Sequence, residues 1–234
     1  MISTRRSVLA ILLAAPAVLL GGCADCCCPC GGKPASPPSS SAAAPSPAAR
    51  EQPRSLFDGK SLGSWSSVDF GGQGEVKVEK GAIRVDVGAS LSGVRWTGET
   101  LPRTNYELRV EAMKLDGNDF FLGIVFPVGK DECSFVAGGW GGGVTGLSSV
   151  DHMNASENET ATDQTYVKNK WYAFRLAVTP ERIEAWLDGK QVVNLELANR
   201  QISVHPAVES AVPLGLCNYE TTSLFRNITI QKLK

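Results

Sequence analysis

Trp171-Tyr172-Ala173-Phe174-Arg175-Leu176-Ala177-Val178-Thr179-Pro180-Glu181-Arg182-Ile183-Glu184-Ala185-Trp186-Leu187 holds two apolar series of period two, split by a Thr-Pro-Glu break. Tyr172, Phe174, Leu176 and Val178 form the first series; Ile183, Ala185 and Leu187 form the second. Alternation of this kind belongs to antiparallel strands with one face buried and one face wet. Thr179-Pro180-Glu181 has the chemistry of a turn, so the stretch predicts a hairpin. If the Tyr172 and Ile183 sets enter the core, Arg175, Arg182, Glu184 and Trp186 share the opposite face.

Upstream, Tyr106, Leu108, Val110 and Ala112 alternate with Glu107, Arg109, Glu111 and Met113 in the same way. Residues 75–79, 82–87, 120–126, 191–197 and 214–219 are further candidate strands. Gly, Pro, Asn and Asp punctuate them at short intervals, and no long helical period is present. Many short strands with frequent turns predict an all-β sandwich or barrel.

The first part of the chain reads differently. Arg5 and Arg6 precede an uncharged, largely apolar run at residues 8–20, shorter than the roughly 20 residues that span a bilayer as a helix. Residues 1–22 therefore read as an export signal. Leu20-Gly21-Gly22-Cys23 resembles a bacterial lipoprotein cleavage site, which implies a lipid on Cys23 and anchoring to a membrane of the bacterial cell envelope, facing the periplasm or the exterior. Thr4-Arg5-Arg6-Ser7-Val8-Leu9 loosely resembles a twin-arginine signal, and a simple secreted protein is the alternative.

Cys26, Cys27, Cys28 and Cys30 crowd residues 23–32, too closely for the separated pairs of a four-cysteine zinc site. Residues 33–53 are nearly all Pro, Ala and Ser, a composition that cannot bury enough apolar surface to offset its ordering entropy. They read as an extended spacer, leaving 54–234 as the folded domain.

The formal net charge is −1 at pH 7. With no basic stripe and no arginine–aromatic interleaving, nucleic acid is not an expected partner. Cys133 and Cys217 are the cysteines of the folded part, and the sequence leaves open whether they pair.

Two regions offer chemistry. On the hairpin's outer face, with Glu107 and Arg109 from the neighbouring strand, Trp186 and Arg175 suit a sugar: the ring stacks on tryptophan while charged groups take its hydroxyls. An ordinary solvated face is the alternative. The second region, residues 138–162, opens with Gly138-Gly139-Trp140-Gly141-Gly142-Gly143, where glycine permits positive φ or close backbone approach. It continues through Asp151, His152, Asn154, Glu157, Asn158 and Glu159 on what reads as one long connection. Asp151, Asn154, Glu157 and Glu159 offer the hard oxygens that calcium favours, without the spacing of an EF-hand. A polar flap is the alternative. Glu184, His152 and Asp151 are the candidate catalytic groups, since a base is usually a carboxylate or histidine near the proton it removes. His205, before Pro206, reads as incidental. Neither Cys133 nor Cys217 has the sequence context of a nucleophile.

Phe57-Asp58-Gly59-Lys60-Ser61-Leu62-Gly63-Ser64-Trp65 at one end and Leu224-Phe225-Arg226-Asn227-Ile228-Thr229-Ile230 at the other resemble the bracketing motifs of the 3-keto-disaccharide hydrolase domain family. Trp171, Trp186-Leu187-Asp188-Gly189-Lys190 and Pro213-Leu214-Gly215-Leu216 add to the resemblance. It implies a concanavalin-like jelly-roll sandwich of antiparallel strands, and a lyase or hydrolase of glycosides oxidised at C3. The chain departs from the family pattern at three places, one of them the Glu-x-Gln and Asp pattern that often follows the central strand and is not evident here. Asn118-Asp119-Phe120-Phe121-Leu122-Gly123-Ile124-Val125-Phe126-Pro127 lacks the arginine that ends the corresponding run in many members. Cys217-Asn218-Tyr219 stands where a Gln and a His are usual. A noncatalytic carbohydrate-binding module and a structural interaction domain therefore remain beside the enzyme reading.

Overall fold

The computed structural model describes residues 52–234; the stretch read as an export signal, Cys23, the cysteine cluster and nearly all of the Pro/Ala/Ser stretch read as a spacer lie outside the described residues. The strands are β1 (Arg54–Ser55), β2 (Trp65–Ser67), β3 (Val76–Glu79), β4 (Ala82–Val85), β5 (Leu91–Trp96), β6 (Tyr106–Gly117), β7 (Leu122–Val128) and β8 (Asp131–Gly139). They continue with β9 (Val144–Ser148), β10 (Thr162–Asp163), β11 (Trp171–Val178), β12 (Arg182–Leu187), β13 (Lys190–Glu196), β14 (Gly215–Tyr219) and β15 (Thr221–Lys232). A 3-10 helix, η1 (Pro206–Ala211), precedes β14.

Two antiparallel sheets form. The first has the order β13-β12-β11-β6-β15-β4-β3, with β1 added to β15; the second has the order β10-β9-β8-β7-β14-β5-β2. Side chains of both inner faces meet in one core that includes Ile83, Leu108, Phe121, Ile124, Phe135, Leu176, Ile183 and Phe225. The fold is the concanavalin-like jelly-roll sandwich.

The hairpin of β11 and β12 pairs Arg175 with Trp186 and Val178 with Ile183. Thr179 closes it: its N–H donates to Arg182 O at 3.0 Å, and its hydroxyl accepts the Arg182 N–H at 3.1 Å. The bracketing motifs have local causes. Asp58 Oδ1 accepts the N–H groups of Lys60 and Ser61 at 2.8 and 2.9 Å around Gly59, whose φ is +76°. That turn carries the chain to Trp65, whose indole N–H donates to Leu56 O at 2.8 Å. In β15 the register shifts between Arg226 and Thr229, so that Phe225 and Ile228, three apart, both reach the core. A bulge is the ordinary way to reset a two-residue period.

The structure answers one open question, changes one expectation and adds strands that the sequence did not mark. Cys133 and Cys217 are free: Cys133 enters the core between the sheets, whereas Cys217 packs on the outer face of the second sheet. Residues 138–162 are not one connection, because β9 lies inside them and pairs with both β8 and β10. Strands β5 and β8 did not show as period-two patterns because both of their faces are largely covered; β8 is buried from Cys133 to its end.

Candidate functional site

The second sheet carries a cavity of about 370 Å³ on its outer face. Strand register builds the floor. One row across β9, β8, β7 and β14 is Ser148, Ser134, Val125 and Gly215; the next is Gly146, Val136, Gly123 and Cys217. Small residues in the second row keep a trough open. Phe120, Tyr219 and Leu91 rise along one side; Asn154, His205 and Val208 come from segments that cover the sheet.

Among the described residues Asp119 is the one carboxylate lining this cavity, and the backbone holds it. Its Oδ1 accepts the Phe120 N–H at 2.7 Å, and its Oδ2 accepts the Gly141 N–H at 3.1 Å. The second bond explains the glycine run. Gly141 and Gly142 have φ of +85° and +111°, and a Cβ on Gly142 would sit 3.1 Å from Asn118 O. Only a chain without side chains there folds down onto Asn118 and Asp119. The same turn presents Trp140, 48% exposed, beside the opening. The Phe120 and Tyr219 rings stack at 5.9 Å and 26°, forming an apolar wall.

His205 caps η1. Its Nδ1 accepts the Ala207 N–H at 3.2 Å, which places the proton of the neutral ring on Nε2 and leaves that edge as a donor. Burial pushes the Cys217 thiol in the floor up to about 12, which removes it as a nucleophile near neutral pH.

The residues singled out from sequence separate into three places. Trp140 and Asn154 line the cavity. Asp151, His152 and Glu159 turn instead toward residues 200 and 201. Arg200 pairs with Asp151 at 2.6 Å and with Glu159; Asp151 also accepts the Gln201 N–H at 2.8 Å, and His152 Nε2 meets Gln201 Oε1 at 2.7 Å. The Gln201 N–H first, and then Arg200, hold the Asp151 carboxyl below its usual range. Glu157 accepts the Asn154 N–H at 3.0 Å. The segment is organised by Asn158, whose Nδ2 donates to Leu147 O and Asn154 O at 2.8 Å each. These carboxylates answer Arg200 and backbone groups, and among the described residues no three His, Cys, Asp or Glu side chains converge as a metal-holding group. The donor set does not fit calcium as it stands.

Glu107, Arg109, Arg175, Glu184 and Trp186 do share one face, the outer face of the first sheet. Glu107, only 7% exposed, accepts from Arg109 at 2.7 Å and from Arg175 at 3.0 Å. The Arg175 guanidinium lies 3.3 Å from the centre of the Trp186 ring, and Glu184 accepts from Gln191 at 2.8 Å. Every one of these groups already has a partner.

Sequence reasoning did not assign Asp119, Phe120, Tyr219, Ser134, Ser148 or His205 to a site. The available signal was negative: Asn118-Asp119-Phe120 and Cys217-Asn218-Tyr219 are the stretches that depart from the family pattern, and both lie at the cavity.

No curated protein sequence matches the chain. Among solved structures, the β-glucanase of Bacillus licheniformis superposes with a TM-score of 0.51 at 11% identity, over 76% of this chain and 96% of its own. The Crh5 transglycosylase in complex with NAG gives 0.51 at 10%, over 79% and 88%. The carbohydrate recognition domain of Emp46p gives 0.51 at 10%, over 74% and 90%. At such identities the likeness is one of fold. The sequence profile of the 3-keto-alpha-glucoside-1,2-lyase-like domain matches residues 52–231, most of the chain, and the protein belongs to that family.

Proposed function

We propose that the domain is a lyase of glycosides oxidised at C3, bound in the cavity on the outer face of the second sheet, with Asp119 as the base. The observation that carries this reading is a single carboxylate, fixed by two backbone N–H groups, beside aromatic side chains in a cavity of sugar-accommodating size. Membership of the family supports the substrate class.

The ketone at C3 acidifies the C2 proton. Asp119 takes that proton, the C2–H electrons form an enolate with the C3 oxygen, and the Nε2–H of His205 stabilises the developing charge. The enolate then collapses to the ketone, a C1–C2 double bond forms, and the C1–O bond breaks with its electrons on the leaving oxygen. The proton held by Asp119 passes to that oxygen. Water adding across C1 and C2 returns a free 3-keto sugar. One carboxylate serves as base and then as acid, which suits a cavity that offers only one. No step is routed through a metal.

The test is to incubate the purified protein with a 3-keto-glucoside and follow release of the C1 substituent. A second reading, a noncatalytic carbohydrate-binding module, is favoured by the same scarcity of acid–base groups. Binding of the keto-glycoside without release would sink the lyase and establish the module.

The chain is also proposed to be lipidated on Cys23 and anchored in the bacterial envelope, on the strength of Leu20-Gly21-Gly22-Cys23 and the basic-then-apolar residues before it. Cys23→Ala is expected to move the protein from the membrane fraction to the soluble fraction; unchanged fractionation would remove the anchor.

A further inference from the structure

The cavity is polar at one end and apolar at the other. Ser148 and Ser134, paired across β9 and β8, lie at one end with Asn154. Toward β14 and β5, Tyr219 pairs with Leu91, and Leu91, Val125 and Cys217 join Val208 of η1 in a hydrophobic cluster against which Phe120 and Tyr219 pack. Among the described residues no lysine or arginine lines the cavity.

A sugar ring presents hydroxyls around nearly its whole edge. Each one buried without a partner costs roughly 1–3 kcal/mol. The Ser134–Ser148–Asn154 end answers hydroxyls; the Leu91–Val125–Val208 end answers none. A second sugar placed there would lose its hydration without replacement. An aryl or alkyl group loses nothing and gains by leaving water.

Resting on the lyase reading above, we infer that the group carried at C1 is an apolar aglycone, aryl or short alkyl, seated on Leu91, Val125, Val208, Phe120 and Tyr219, and not a second sugar. The chemistry agrees. A phenol ionises near pH 10, about where tyrosine does, so its oxyanion leaves with less help from an acid than a sugar alkoxide needs. That relieves the burden on a cavity with one carboxylate.

Binding separates this inference from the reading it rests on. The full-length protein carrying Asp119→Asn is titrated with phenyl 3-keto-glucoside and with a 3-keto-disaccharide. The expected result is a dissociation constant about tenfold or more lower for the phenyl glycoside, as burial of one aromatic ring requires. Equal affinities, or a preference for the disaccharide, would overturn the inference and leave the lyase reading standing. Binding of neither would overturn both. Val208→Asn is expected to erase the preference by weakening the phenyl glycoside alone; equal weakening of both ligands counts against the apolar seat. If Val208→Asn does not fold, Val208→Thr keeps the shape and is expected to reduce the preference in the same direction.

Discussion

The outer faces of the two sheets are built on opposite plans. On the first sheet Glu107, Arg109, Arg175 and Trp186 saturate one another, and Arg226 repeats the device, donating to Glu111 at 2.8 Å while lying 3.8 Å from the centre of the Trp171 ring. On the second sheet small and apolar side chains leave a cavity, and its one carboxylate is held by backbone alone. A charged side chain that has found its partners is a structural element. A carboxylate anchored by amides keeps its outward lone pairs for something else. The richer-looking face is therefore the quieter one.

Asp119→Asn should produce the largest effect that distinguishes the two faces. A loss of about 100-fold or more in turnover of a 3-keto-glucoside is expected, with stability lowered by only about 1 kcal/mol because the amide keeps one of the two backbone hydrogen bonds. A retained rate would move the base elsewhere, with Glu184 and His152 the next to replace. Trp140→Ala should follow, weakening ligand binding by about tenfold, because its exposed ring beside the opening is the natural stacking surface for a sugar. Isothermal titration reads this directly, and unchanged affinity would leave the tryptophan outside the site.

On the opposite face the expected balance reverses. Glu107→Gln strands two arginines and should cost about 1–2 kcal/mol of stability in chemical denaturation, with turnover unaffected. Lost activity at full stability would place a second site there. The thiols sharpen the comparison further. Burial pushes Cys133 and Cys217 to about 12, so neither should react with a thiol reagent at pH 8 until the domain unfolds. Rapid labelling of Cys217 in the native protein would mean that the cavity floor is open to solvent.

The smallest effect concerns acid. Asp151 has a folded value below its unfolded one, so what it contributes is present above the usual carboxylate range. That contribution is lost as pH falls through the depressed value. Hydrogen exchange around residues 150–160 should therefore rise only in strongly acidic solution, and a rise near neutral pH would point to a different group.

Much of the first sheet was legible in the sequence because water touches one of its faces. Tyr172 to Val178 and Ile183 to Leu187 alternate cleanly, and the partners of Arg175 lie where alternation puts them. The second sheet hid itself for the complementary reason. Most of Leu91 to Trp96 and of Asp131 to Gly139 is covered on both sides, so few polar residues mark their outer faces. The candidate site was obscured by the same burial. Asp119 precedes a strand and is held by a glycine turn more than twenty residues later. His205 owes its place to a short 3-10 helix that no periodicity announces. What sequence did mark was Asp151, His152 and Glu159, a polar cluster whose partners, Arg200 and Gln201, lie 41 to 49 residues onward.

The placement of Cys133 and Cys217 on opposite faces of one sheet bears on how the protein matures. Closing this domain calls for no oxidant and no disulfide isomerase. The same sandwich should form in a reducing compartment and in an oxidising one.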